Sequence, residues 1–213
     1  MIDHIVLAAT TLDEGVRYLY EQLGVEVPTG GKHPIMGTHN CLMRVGRTIY
    51  LEILSIDPSA PPPRRARWFG LDDLSVQARL RERPHFVGWV AQTNNITESI
   101  AALGADIGPA IEATRGDLRW RISVRDDGLL LDGGTVPILI EWPEGAHPAS
   151  KIPDLGIELL ELRLKHPSPD WLKLKLRPLA PEPLIKIVKA PSGEPPSLEA
   201  TFRLPDGQFH TLD

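Results

Sequence analysis

The chain's 213 residues, 42% hydrophobic and 24% charged, suffice for one large domain or two intimate ones with a full core. A formal net charge of -5 excludes the clustered basic face of a nucleic-acid binder, and the one basic run, Arg64, Arg65 and Arg67, falls in a proline-rich loop. No apolar run reaches the length of a membrane span, a strand begins almost at Met1 with no room for a signal peptide, and the lone Cys41 fits a reducing compartment, so a cytoplasmic location is expected.

In chain order, residues 1–9 read as a strand and 12–23 as an amphipathic helix closed by Gly24. A glycine-rich connection leads to strands at 39–45 and 49–56. Pro58 and the prolines at 61–63 mark the exit from this first unit, and a short helix at 71–82 bridges to Pro84. A strand at 86–93, a helix at 96–103 closed by Gly104, and strand-like stretches at 118–124, 129–131 and 137–142 follow. The order of strand, helix and several strands occurs twice, and such self-similarity sets the architecture before any single residue is considered. Beyond Pro143, Pro148 and Pro153 a looser third copy is expected, with strands at 156–165, 184–190, 198–204 and 208–212. Its helix is capped by Ser168 and begins at Pro169. The predicted organisation is a first module at 1–57, a proline-rich linker with a helix at 58–85, a second module at 86–143, and a C-terminal module at 154–213.

Each of the first two modules ends on an apolar strand holding one glutamate, Glu52 in YLEIL and Glu141 in PILIEW. A buried carboxylate is costly unless paired, protonated or metal-bound, so two at matching places suggest one site built from two halves. Alternation along strands groups His4 with Val6 and Ala8, Glu52 with Tyr50 and Leu54, and Glu141 with Leu139. It also separates Trp120 and Ile122 from Arg119, Arg121 and Ser123. The structural alternatives are a satisfied core histidine at His4 and glutamates paired with Arg44, Arg119 or Arg121. The stretch GGKHPIMGTHN at 30–40 combines permissive glycines with the polar His33, Thr38 and Asn40, which suits ligand contact as well as a capped surface loop. Nothing near Cys41 marks an activated thiolate, and it is given no role.

DHIVLAA at 3–9, GGKHPIMGTHN at 30–40, YLEIL at 50–54 and PILIEW at 137–142 together resemble the glyoxalase-like domain family of the vicinal oxygen chelate superfamily, over roughly residues 1–145. The resemblance implies an α+β fold in which paired βαβββ modules form a half-open barrel around a cavity, with the third module added. It implies a metal site with His4, Glu52 and Glu141 holding one divalent ion (Mn, Ni, Zn or Fe). The fourth ligand place falls on Gly88 or Trp89, which cannot ligate, so a metal-free site with a glutamate as general base is an equal expectation. The implied activity is that of a lyase, isomerase or dioxygenase acting on a small oxygen-rich metabolite that bears a carboxylate or carbonyl. Glu52, Glu141 and His4 would be catalytic, and His33, Thr38, Asn40, Trp89 and Arg121 would bind the substrate. The alternative is a metal-free module that sequesters a small molecule against Trp89, Trp120 or Trp142. Beyond the substrate, the expected partner is a second copy in a homodimer, with no nucleic acid and no membrane.

Overall fold

The computed structural model describes residues 1–145, 147–180 and 183–213. Strand β1 (Ile2–Ala8) leads into helix α1 (Leu12–Leu23), then β2 (Thr29–His33), β3 (Thr38–Arg44) and β4 (Tyr50–Ile56). Helix α2 (Leu74–Glu82) sits in the linker. The pattern then restarts with β5 (His85–Gln92), α3 (Ile96–Leu103), β6 (Ala110–Arg115), β7 (Leu118–Ser123) and β8 (Ile138–Glu141).

Local chemistry sets the helix ends. Thr11 accepts the Glu14 N–H at the start of α1, and Gly24, at φ +70°, supplies the left-handed residue that closes it. Asn95 caps α3 in the same way, through the Glu98 N–H.

These eight strands form one sheet in the order β2-β3-β4-β1-β5-β8-β7-β6. In each half the last strand returns parallel to the first, β4 beside β1 and β8 beside β5, while β1 and β5 run antiparallel at the centre. This is the expected pairing of βαβββ modules. The sheet curls until its edges β2 and β6 approach. A Cβ built on Gly31 of β2 would lie 2.6 Å from Cδ of Arg115 on β6. A side chain at position 31 would have to push the Arg115 stem aside.

Alternation along the strands separates two cores. Outside the curl, Ile5, Leu7, Leu51, Ile53 and Trp89 pack beneath the helices. Inside it, Val6, Leu54, Trp120 and Ile140 meet Trp68 and Phe69 from the linker. Fully burying a large apolar side chain of this kind stabilises by about 1.5–3 kcal/mol.

The C-terminal segment forms a second sheet from β9 (Glu158–His166), β10 (Ile185–Lys189), β11 (Ser197–Arg203) and β12 (Phe209–Leu212), with helix α4 (Pro169–Leu176) between β9 and β10. Its order, β10-β9-β11-β12, differs from that of the modules, because the strand after the helix pairs directly and in parallel with β9. Leu162, Leu164, Leu198 and Phe202 add to the outer core, so this sheet covers the barrel's outer face.

Two strands have weak sequence signals. The first, β2 (TGGKH), lies in the glycine-rich stretch, and β6 (AIEATR) is a partly exposed edge whose inward face offers only Ile111 and Ala113. The stretch 129–131 forms no strand; it runs into a 3-10 turn at Leu131–Gly134.

Candidate functional site

Inside the barrel, five of the polar residues expected at a site converge. His4 from β1 and Glu52 from β4 face one another, with His4 Nε2 3.4 Å from Glu52 Oε2. Behind His4, Asp3 Oδ1 lies 2.6 Å from Nδ1. Neighbouring strand residues ordinarily face opposite sides, but the β1–β5 ladder shifts register between Ile2 and His4, and such an irregularity re-aims side chains. The other Asp3 oxygen accepts the Trp142 indole N–H at 2.8 Å and meets His147 Nε2 at 3.0 Å. Tyr50 stacks on the His4 ring, with centroids 4.5 Å apart.

Strand β3 and the end of β2 hold Glu52 from its other side. Asn40 Nδ2 donates to Glu52 Oε1 at 2.6 Å and lies 3.3 Å from His33 Nε2, while its Oδ1 accepts the Gly31 N–H at 2.9 Å. The network therefore assigns the proton of His33 to Nδ1, which donates to Thr38 Oγ1 at 3.1 Å. All six of these polar groups, Asp3, His4, His33, Thr38, Asn40 and Glu52, are buried.

Their electrostatics are opposed in sign. Burial alone would lower the His4 pKa, but hydrogen bonds and charge from Asp3 and Glu52 outweigh it and raise it to about 9. Burial would raise Glu52; the hydrogen bond and charge of His4, with His33 and Asn40, bring it down to about 2. Asp3 is held below the usual carboxylate range against its own burial by His147 and His4. Burial dominates at His33, with the Arg115 charge adding to it, and lowers it to about 4. At neutral pH the site thus holds an imidazolium between two carboxylates, with a neutral imidazole beside them.

The other expected site residues lie elsewhere. Glu141 does not meet Glu52. Ile140 and Trp142 line the interior, so Glu141 between them faces outward, where Oε2 accepts the Ile96 N–H at the start of α3 at 2.6 Å. Arg121 shares that outer face, 3.4 Å from Glu141 and 3.3 Å from Thr97 Oγ1. The cavity face of β7 and β8 is aromatic and aliphatic, with Trp120, Ile122, Ile140 and Trp142, so the charged face that carries Arg121 and Glu141 turns outward. Trp89 is in the outer core and donates to the Thr135 carbonyl at 3.0 Å. The cross-strand neighbour of His4 on β5 is Val90.

The expected metal set of His4, Glu52 and Glu141 is therefore not assembled. Among the described residues no three His, Cys, Asp or Glu side chains are placed to hold an ion. The donor chemistry agrees, since both His4 nitrogens are engaged by carboxylates and the second module offers Val90 and Ile140.

Sequence reasoning missed Asp3, Tyr50, His147 and Arg115. Asp3 had a signal, standing beside His4 in the DHIVLAA motif; His147, in a loop after β8, had none. Cys41 is buried on the outer side, and burial pushes its thiol up, which fits an inert role.

The curled sheet and its interior site define an enzyme or binding protein of the vicinal oxygen chelate fold. A model of the glyoxalase-like domain matches residues 2–180, and the chain belongs to that family. No curated protein matches the sequence. A hypothetical protein from Staphylococcus aureus superposes with TM-score 0.57 at 16% identity, covering 100% of this chain and 84% of its own, a likeness of fold. A variant of Streptomyces coelicolor methylmalonyl-CoA epimerase in complex with 2-nitronate-propionyl-CoA gives TM-score 0.43 at 18% identity, covering 68% of this chain and 95% of the epimerase. Methylmalonyl-CoA epimerase from Mycobacterium tuberculosis gives TM-score 0.43 at 15%, covering 67% and 87%. Among the described residues no helix is long and apolar enough to cross a membrane.

Proposed function

We propose that this protein is a glyoxalase-like enzyme that moves a proton on a small carbonyl compound bound inside the barrel. Glu52 acts as the base and the His4 imidazolium as the acid or oxyanion partner. The observation that carries this reading is the buried Asp3–His4–Glu52 series, with contacts of 2.6 and 3.4 Å. A purely apolar binder has no use for three buried charges, each costly to desolvate.

In the closed pair Glu52, held to about 2, is too weak a base for a carbon acid. A substrate carbonyl entering the 3.4 Å gap would part the pair. The carboxylate, still buried, would then regain basicity, while His4, kept charged by Asp3, would donate to the developing oxyanion. The C–H bond breaks, its proton passes to Glu52, and the electron pair moves to the carbonyl oxygen as an enolate. Asn40 fixes Glu52 throughout, through its short bond to the other oxygen.

The test is exchange of the C3 protons of 2-oxobutyrate and related oxo acids in D2O, followed by proton NMR. The wild type should exchange at least one of them, and Glu52→Gln should slow that exchange by about 10²–10⁴-fold. Absence of exchange across the panel, or equal exchange by Glu52→Gln, overturns the reading.

A second reading has its own support. Trp120 and Trp142 stand 5.2 Å apart on the cavity wall, an arrangement suited to sequestering an aromatic ligand. Stabilisation of the protein by neutral aromatic compounds alone would favour it.

A further inference from the structure

Among the described residues the cavity wall holds two buried hydrogen-bond donors without acceptors, and beside them a half-buried arginine without a partner. Trp68 and Trp120 line the cavity at 2% and 6% exposure, and both indole Nε1 atoms are buried with no hydrogen-bond partner among the described residues. The third indole of the cavity, Trp142, has its acceptor in Asp3, so the deficit is confined to these two. Arg115, at the end of β6, lines the same cavity, and its guanidinium has no ion-pair or hydrogen-bond partner among the described residues. An indole or guanidinium can only donate, and buried donors are rarely left unpaired.

The backbone is shaped to admit that guanidinium. On a Gly31 Cβ, Cδ of Arg115 would stand at 2.6 Å, Cγ at 2.7 Å and Nε at 3.5 Å. The arginine stem thus lies flat across the bare backbone of β2, spanning the open seam of the barrel and carrying its charge inward.

We propose that Arg115, Trp68 and Trp120 form an anion subsite that takes the carboxylate of the substrate. This rests on the reading that the substrate binds inside the barrel, and it narrows the substrate to small oxo or hydroxy acids. A guanidinium can grip a carboxylate through two parallel hydrogen bonds, and each indole adds one donor. Arg115 takes the substrate-binding part expected of Arg121.

The free cavity measures about 20 Å³, room for about one water. A ligand larger than a water can enter only if part of the cavity wall gives way. Phe69 is the residue poised for this, being buried in the cavity wall at φ +57°, a left-handed conformation that disfavours a bulky side chain.

The experiment titrates the full-length protein with pyruvate, 2-oxobutyrate and lactate, and with lactamide as the uncharged control. Indole N–H resonances and calorimetry are the readouts. Two indole resonances, assigned to Trp68 and Trp120 by Trp→Phe variants, should shift with the acids and not with lactamide. Arg115→Met should weaken acid binding at least tenfold, and Arg115→Lys should restore part of it. Gly31→Ala, which displaces the arginine stem, should weaken binding as Arg115→Met does, with the His4 titration unchanged in both. Equal binding of lactamide and lactate, equal binding by wild type and Arg115→Met, or binding of none of the acids overturns the subsite. If the acids bind through Arg115 while no proton exchange is seen, the subsite stands and the proposed reaction fails.

Discussion

Replacing Glu52 by glutamine tests the electrostatic core of the site with little change in shape. The amide can still receive the Asn40 N–H and face His4, so the variant removes a charge and leaves the packing. In the wild type the His4 pKa is raised from 6.5 to about 9. At about 1.4 kcal/mol per pH unit, that rise corresponds to ~3 kcal/mol of folding stability. A raised histidine pKa contributes fully below pH 6.5, and the contribution is lost as pH rises through 9. Glu52, lowered from 4.5 to about 2, has the opposite sign: its contribution is present above pH 4.5 and lost as pH falls towards 2. The pair therefore contributes most evenly between pH 4.5 and 6.5.

With Glu52→Gln only Asp3 remains to hold the proton, and losing one adjacent counter-charge lowers His4 by about 1–3 pKa units. The alkaline loss of stability should begin at lower pH and shrink by about 1.4 kcal/mol for each unit by which His4 falls. The assay is urea unfolding of both proteins at several pH values, with the His4 ring proton followed by NMR. Groups titrating alike in both proteins cancel in the difference. A wild-type His4 titrating near 6.5, or an identical His4 pKa in the variant, refutes the reasoning.

Glu141→Ala should cost about 0.5–2 kcal/mol in urea unfolding, through loss of the acceptor at the start of α3, and leave proton exchange intact; loss of exchange would return Glu141 to the site. Trp89→Phe should destabilise by about 1–3 kcal/mol by leaving the Thr135 carbonyl unpaired, with carboxylate binding unchanged by calorimetry. Phe69→Gly relieves the left-handed strain but empties part of the core, so it should lower stability by a few kcal/mol. The same variant should speed acid association in stopped-flow fluorescence, and an unchanged association rate would remove Phe69 from the entry path.

The sequence by itself determined the repeated architecture. Apolar alternation, the Leu-Gly helix ends and the recurring order of elements are local signals, and each half carries its own. They pointed to His4 and Glu52, because β1 and β4 place a polar residue on an otherwise apolar face where it needs a partner, and to His33, Thr38 and Asn40 through the polar, glycine-rich stretch at 30–40. Tertiary structure alone decided which face of β7 and β8 turns inward. Alternation gives two faces without saying which one the curl encloses, so Glu141 and Arg121 were assigned inward when the helix start of α3 claims them outside. It also decided that Asp3 joins His4, through a register irregularity that no residue pattern announces. Arg115 comes within reach of the site only because two edge strands, 84 positions apart at Gly31 and Arg115, close against each other. Proximity of that kind is set by the curvature of the whole sheet, and a linear sequence does not carry it.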